Sequence, residues 1–146
     1  MPFRKHFLAA GLMVLVGIVF LGTGDAYAMN TTDNQAKKAV KIVQTAGRQQ
    51  LGTFAPDFAR YNDDILFGEV WSKNDVLPLK ERSIVTVSAL IAQGITDSSL
   101  KYHMETAKKN GVTKDEMAEI ITQLAFYSGW PKAWAAFGYA KEVYGE

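Results

Sequence analysis

The sequence predicts an all-α protein, a compact bundle of about six helices, on three observations. Apolar residues recur at helical spacing through most of the chain from Ala36 onward. Glycines and prolines fall between those segments, where helices stop and start. The β-branched residues Ile84 to Val87 lie inside a run too long and too free of turn signals for a strand.

Ala36, Ala39, Val40 and Val43 recur at helical spacing and predict a first helix that ends at Gly47. The stretch from Leu51 to Ser72 is richer in turn signals. Gly52 and Pro56 break it, Asp57–Tyr61 suits a short helix, and Asn62-Asp63-Asp64 suits a turn or a cap. The apolar, aromatic Ile65–Trp71 then suits a helix packed on the body. Pro78 opens a helix over Leu79–Gln93 that Gly94 closes, and apolar residues on most of its sides predict a buried element. Thr96 or Asp97 caps the next helix, which ends at Asn110-Gly111. Thr113 and Glu116 form a T-x-x-E capping box ahead of Met117, Ile120, Ile121 and Leu124. After a break at Ser128-Gly129, Pro131 starts a last helix bearing Trp134, Phe137 and Val143.

The N-terminus reads as a processing signal. Arg4 and Lys5 precede an apolar run from Phe7 to Leu21, and Ala26-Tyr27-Ala28 supplies a small-x-small cleavage pattern, so residues 1–28 are expected to be a signal peptide and the mature chain to start at Met29. The expectation is an exported protein, periplasmic or secreted, with no stable membrane anchor after cleavage; if Met29 is the true start, it is cytoplasmic instead. Residues 29–46 would be a polar lead-in and helix, and 47–146 the main domain. Removing residues 1–28 takes away Arg4, Lys5 and Asp25 and leaves a formally neutral chain. That balance argues against nucleic acid or an anionic membrane as partner, since both call for a clustered basic excess. The chain has no cysteine, which rules out disulfides, thiolate nucleophiles and thiolate metal sites. High aromatic content in so small a domain points to a subunit interface.

Apart from His6, His103 is the only histidine. Leu100, Met104 and Ala107 form the apolar stripe of its helix, and His103 lies beside that stripe. Two readings stand: a flat filler hydrogen-bonded to a backbone carbonyl, or a general acid or base near neutral pH. A metal site lacks the ligands, and no phosphate loop or serine nucleophile elbow occurs. Arg82, early in an apolar helix, would pair with a carboxylate such as Glu81 of a neighbour or offer its fork to a substrate carboxylate. Glu69, beside Val70 and Trp71, would become a proton shuttle if burial raised its pKa.

The segments "FGEVWS", "PLKERSIVTVSALIAQG", "LKYHMETAKKNGVTKDEMAEII" and "LAFYSGWPKAWAAF" resemble the carboxymuconolactone decarboxylase family of the alkylhydroperoxidase D-like superfamily, over about Gly47 to Tyr144. The resemblance implies an all-helical fold and a trimer or hexamer. The superfamily's peroxidase branch carries C-x-x-C-x-x-x-H, which falls here on Thr96, Ser99 and His103. With both cysteines replaced, peroxide reduction through a disulfide has no chemical basis. The decarboxylase branch removes CO2 from 4-carboxymuconolactone in aromatic catabolism and uses no cofactor. By that resemblance His103 would be the acid/base with Glu69 in a supporting catalytic role, Arg82 a substrate-carboxylate contact, and Tyr127, Trp71 and Trp130 pocket members. A non-catalytic alternative is an exported small-molecule binding protein or oligomeric scaffold of the same fold, favoured by the apparent signal and the aromatic "GWPKAW" segment.

Overall fold

The computed structural model describes residues 38–145, so the expected export signal and Ala36 lie outside the described residues. Within that span every regular element is helical. The order is α1 (Ala46–Leu51), α2 (Pro56–Arg60), a π-helix (Tyr61–Trp71), α3 (Leu79–Gln93), α4 (Ser98–Lys109), α5 (Lys114–Ser128) and α6 (Trp130–Tyr144). This is the predicted all-α class.

Helices α3 to α6 enclose the core, with α5 on α6, α3 on α4, α4 on α6 and α3 on α5. Val87 and Ile91 come from α3, Leu100, Met104 and Ala107 from α4, and Met117, Ile121 and Ala125 from α5. Each set recurs every three or four residues, so each helix buries one stripe. Ile91, Leu100, Met104, Met117 and Ile121 are wholly buried, and burial of side chains this large contributes about 1.5–3 kcal/mol apiece.

Two expectations about faces need correction. α3 is buried on one face only, through Ser83, Val87 and Ile91, while Val85 is 59% exposed. In α6 the buried stripe is Ala133, Ala136 and Ala140, and Trp134 is 73% exposed. Small side chains let helix axes approach closely, which makes an alanine stripe a better core surface here than a bulky indole.

The helix ends follow the local signals. The Asp97 carboxylate accepts from Ser99 N–H at 2.8 Å to cap α4. The Thr113–Glu116 capping box is formed in both directions, at 3.2 and 2.9 Å. Gly94 ends α3 with φ +80°, a left-handed backbone that a Cβ would strain. Polar ties join the helices: Asn110 donates to Ser83 Oγ at 2.9 Å, Lys80 pairs with Glu116 at 2.6 Å, and the Tyr144 hydroxyl donates to the Val112 carbonyl at 3.0 Å.

The predicted first helix is not formed over residues 38–45. That stretch has no regular structure, and the helix begins at Ala46, where it had been expected to end. Val40 and Val43, read as its apolar face, are 62% and 81% exposed. Tertiary partners outcompete the helix for its backbone: Val40 N–H donates to Asn74 Oδ1 at 2.8 Å and Ile42 N–H to Ser72 Oγ at 2.8 Å. Gly47 is no terminator either but a point of close approach. A Cβ there would lie 2.7 Å from Asp63 Oδ1 and 2.9 Å from the Ala59 carbonyl oxygen.

Candidate functional site

Helix α4 sets the position of His103. With its N-terminus capped by Asp97 and its Leu100-Met104-Ala107 stripe buried, the adjacent His103 is left half-buried on the margin. There it lines a cavity of about 440 Å³, together with Ser98, Ser99 and Tyr102 from the first turns of the same helix. Phe58 of α2 and Asn62, Leu66 and Phe67 of the π-helix form a second wall. Gln44, Ala46, Gly47, Gln50 and Leu51 form a third.

The π-helix explains which of its residues face the cavity. Its i→i+5 register stacks residues five apart. Asn62 and Phe67 accordingly share the cavity face, and Asp63 and Gly68 share the buried face. In an α-helical register Glu69 would follow Leu66 around to the cavity side. Here it is exposed and does not line the cavity, so the burial that a proton shuttle would need is missing.

The imidazole of His103 makes no hydrogen bond to the described residues. Its one ring contact is the edge of Tyr102, at 5.1 Å between centroids. Of the two readings of this residue, the filler held by a backbone carbonyl finds no such carbonyl among the described residues. Burial pushes the His103 pKa below its ordinary value, which leaves a neutral ring at pH 7 with both nitrogens available to a ligand. Among the described residues no formally charged side chain lines the cavity, whose polar groups besides His103 are the amides Gln44, Gln50 and Asn62 and the hydroxyls of Ser98, Ser99 and Tyr102.

Behind this lining lies one buried carboxylate. Asp63 is 2% exposed and accepts from Gly47 N–H, Arg48 N–H and Asn62 Nδ2, each at 2.9 Å, with Arg48 Nη1 at 3.3 Å. Burial acts to raise its pKa, but the Asn62 hydrogen bond, the two N–H groups and the Arg48 charge together hold it below the ordinary carboxylate value. Asp63 fixes the Asn62 amide and the start of α1 at once, so two walls of the cavity share one anchor.

The remaining residues singled out from sequence are not brought to this cavity within one chain. Arg82 donates to the carbonyls of Leu77 at 3.0 Å and Lys73 at 2.9 Å, closing the turn before α3. Trp71 is buried beneath Phe67, 5.7 Å between ring centroids. Tyr127 and Trp130 are 83% and 57% exposed and form a ridge with Phe126 and Trp134. Of the two positions equivalent to the absent cysteines, Ser99 lines the cavity and Thr96 does not. No cluster of histidine and carboxylates suited to a metal occurs among the described residues. The sequence reading missed the amide residues Gln44, Gln50 and Asn62. Local pattern puts Gln44 inside a helix and Asn62 in a turn or a cap, and only the pairing of those segments in space reveals them.

Comparison with known proteins agrees with the architecture around His103. Residues 56–142, more than half of the chain, match the profile of the carboxymuconolactone decarboxylase family. Over 96 residues the chain is 40% identical to a protein of Acinetobacter baylyi named 4-carboxymuconolactone decarboxylase, covering 66% of this chain and 70% of that one. It is also 31% identical over 84 residues to an uncharacterized 15.0 kDa protein of Paracoccus denitrificans from the nqo9-nqo10 intergenic region, covering 57% of this chain and 62% of that one. The family match runs from α2 into α6, the body that carries the cavity's histidine, and the chain belongs to the carboxymuconolactone decarboxylase family.

Proposed function

We propose that the protein is a cofactor-free lyase that removes CO2 from a small carboxylated, lactone-type substrate, with His103 as general acid/base. One observation carries the reading: an imidazole with no hydrogen-bond partner among the described residues lines a cavity large enough for a small molecule. Membership of the family and the name of the Acinetobacter relative support the reaction class.

The chemistry fits the lining. The bond between carbon and the departing carboxylate breaks, its electron pair moves into the conjugated lactone, CO2 leaves, and a proton is delivered to carbon. A histidine that is neutral at rest gains this proton when an anionic substrate enters, because a nearby negative charge raises its pKa. The uncharged walls suit the same step. A cation on the departing carboxylate would stabilise the ground state more than the transition state, in which that charge is being lost. Asn62, Ser98 and Ser99 are the substrate contacts this reading assigns. In keeping with the exposed ridge of Phe126, Tyr127, Trp130 and Trp134, the chain assembles as a homo-oligomer, a trimer or hexamer.

A second reading, an exported binding protein or oligomeric scaffold without turnover, draws on the same ridge and on the uncharged lining that the described residues give the cavity. Decarboxylation of 4-carboxymuconolactone by the purified protein, followed as loss of substrate absorbance, separates the two. The lyase reading expects turnover, and a His103→Ala loss on the order of 10² to 10⁴ in kcat with binding largely intact. A His103→Ala variant as active as the native protein would end the acid/base assignment.

A further inference from the structure

We propose that residues 38–51 form a strap that walls the His103 cavity and selects what it admits, an inference that rests on reading this cavity as the reaction site. Ahead of α1, over residues 38–45, the strap's backbone is held by the body and not by a helix of its own. The Asn74 amide grips Val40 from both sides, accepting from its N–H at 2.8 Å and donating to its carbonyl at 2.7 Å. Ser72 Oγ accepts from Ile42 N–H at 2.8 Å and donates to the Phe67 carbonyl at 3.1 Å, and Lys41 Nζ donates to the Gly68 carbonyl. Asp63 then receives the N–H groups of Gly47 and Arg48. Four anchors in succession, all from the π-helix and the turn after it, lay this segment along the cavity.

The strap brings Gln44, Gln50 and Leu51 to the cavity. Gln44 Oε1 accepts from the N–H groups of Thr45 at 2.9 Å and Ala46 at 3.1 Å, which fixes its amide and leaves Nε2 without a partner among the described residues. Gln50 adds a second amide and Leu51 an apolar surface. Uncharged donors of this kind suit a neutral carbonyl oxygen, as in a lactone or ester, better than a second carboxylate. This wall also lies outside the matched family span, which begins at residue 56, whereas His103 and Asn62 lie inside it. The cavity thus combines a reacting side inside the matched span with a wall ahead of it, an arrangement that suits an element setting selectivity while the chemistry stays fixed.

The test has two arms on the full chain. Diethyl pyrocarbonate modifies accessible neutral imidazoles, and peptide mass analysis separates His103 from His6. A Ser72→Ala/Asn74→Ala variant, which releases the strap without touching the reacting side, is expected to carbethoxylate His103 about tenfold faster than the native protein, as local opening of a tethered segment requires. Gln44→Ala/Gln50→Ala, a change with no burden on folding beyond one cap, is expected to speed the same modification and, in turnover, to raise KM for a lactone substrate with kcat held. Unchanged carbethoxylation in both variants, with the circular dichroism of the native protein retained, overturns the strap as a wall. Faster modification with unchanged KM in an active enzyme overturns it as a selector. If the native protein turns over no lactone, the lyase reading fails, and the modification rates still decide whether the strap encloses His103.

Discussion

At the scale of single residues, His103 decides the pH behaviour. Its pKa is depressed by burial, so in the free protein the proton-bearing form gains population only as pH falls below the ordinary histidine value of about 6.5. If that form donates the proton, kcat/KM rises as pH is lowered from 7.5, by up to about tenfold per unit, until the lowered pKa is passed. The kcat profile levels off at higher pH than kcat/KM, because a bound anion raises the pKa of the complex. A kcat/KM that is flat across this window would remove His103 from the proton transfer. Stability follows the same linkage. The unfolded histidine binds a proton more readily than the folded one, so the contribution of His103 is present above about pH 6.5 and is lost as pH falls through its folded pKa.

At the scale of elements, the informative contact is between α1 and the π-helix. Helix interiors ordinarily favour alanine over glycine, yet Gly47 sits where a Cβ meets Asp63 Oδ1 and the Ala59 carbonyl at under 3 Å. A backbone carbonyl cannot swing aside. Gly47→Ala is therefore expected to destabilise the protein by about 1–3 kcal/mol as an overpacking change, read as a lower denaturation midpoint in urea. An unchanged or raised midpoint would mean that α1 is not pressed against α2 and the π-helix as described. The π-helix itself explains why Glu69, singled out in the sequence for its aromatic neighbours, faces solvent. The five-residue register puts Phe67 beside Asn62 on the cavity face and carries Glu69 past it.

At the scale of the whole molecule, the exposed aromatics ask for a partner. Phe126, Tyr127 and Trp134 are each more than 70% exposed, and Phe126 packs edge-on to Trp130 at 5.6 Å, so the ridge is ordered within the chain. Contiguous exposed aromatics of this kind mark association surfaces. Trp134→Glu costs the isolated chain little, since exposed positions tolerate substitution within about 0.5 kcal/mol. In sedimentation the native protein is expected to run as a trimer or hexamer at micromolar concentration and the variant as a smaller species. A native monomer at that concentration would show that the ridge serves something other than self-association.

The sequence alone determined the helical class, the span of α3, the ends of α4 and α5 and the start of α6 to within a residue, because these depend on local signals: Thr96 or Asp97 before α4, the Thr113–Glu116 box, and glycines at helix ends. It also placed His103 on the margin of a buried stripe, since a 3.6-residue period is a local property. Only the tertiary structure decided the rest. Residues 38–45 have helical spacing but lose their backbone groups to Asn74 and Ser72, about thirty residues away in sequence. The register of the π-helix, the alanine face of α6, and the use of Arg82 on two carbonyls instead of a carboxylate likewise depend on what each segment meets in space. The cavity is the sum of those encounters: its histidine is legible from one helix, while the walls around it come from segments that no local pattern brings together.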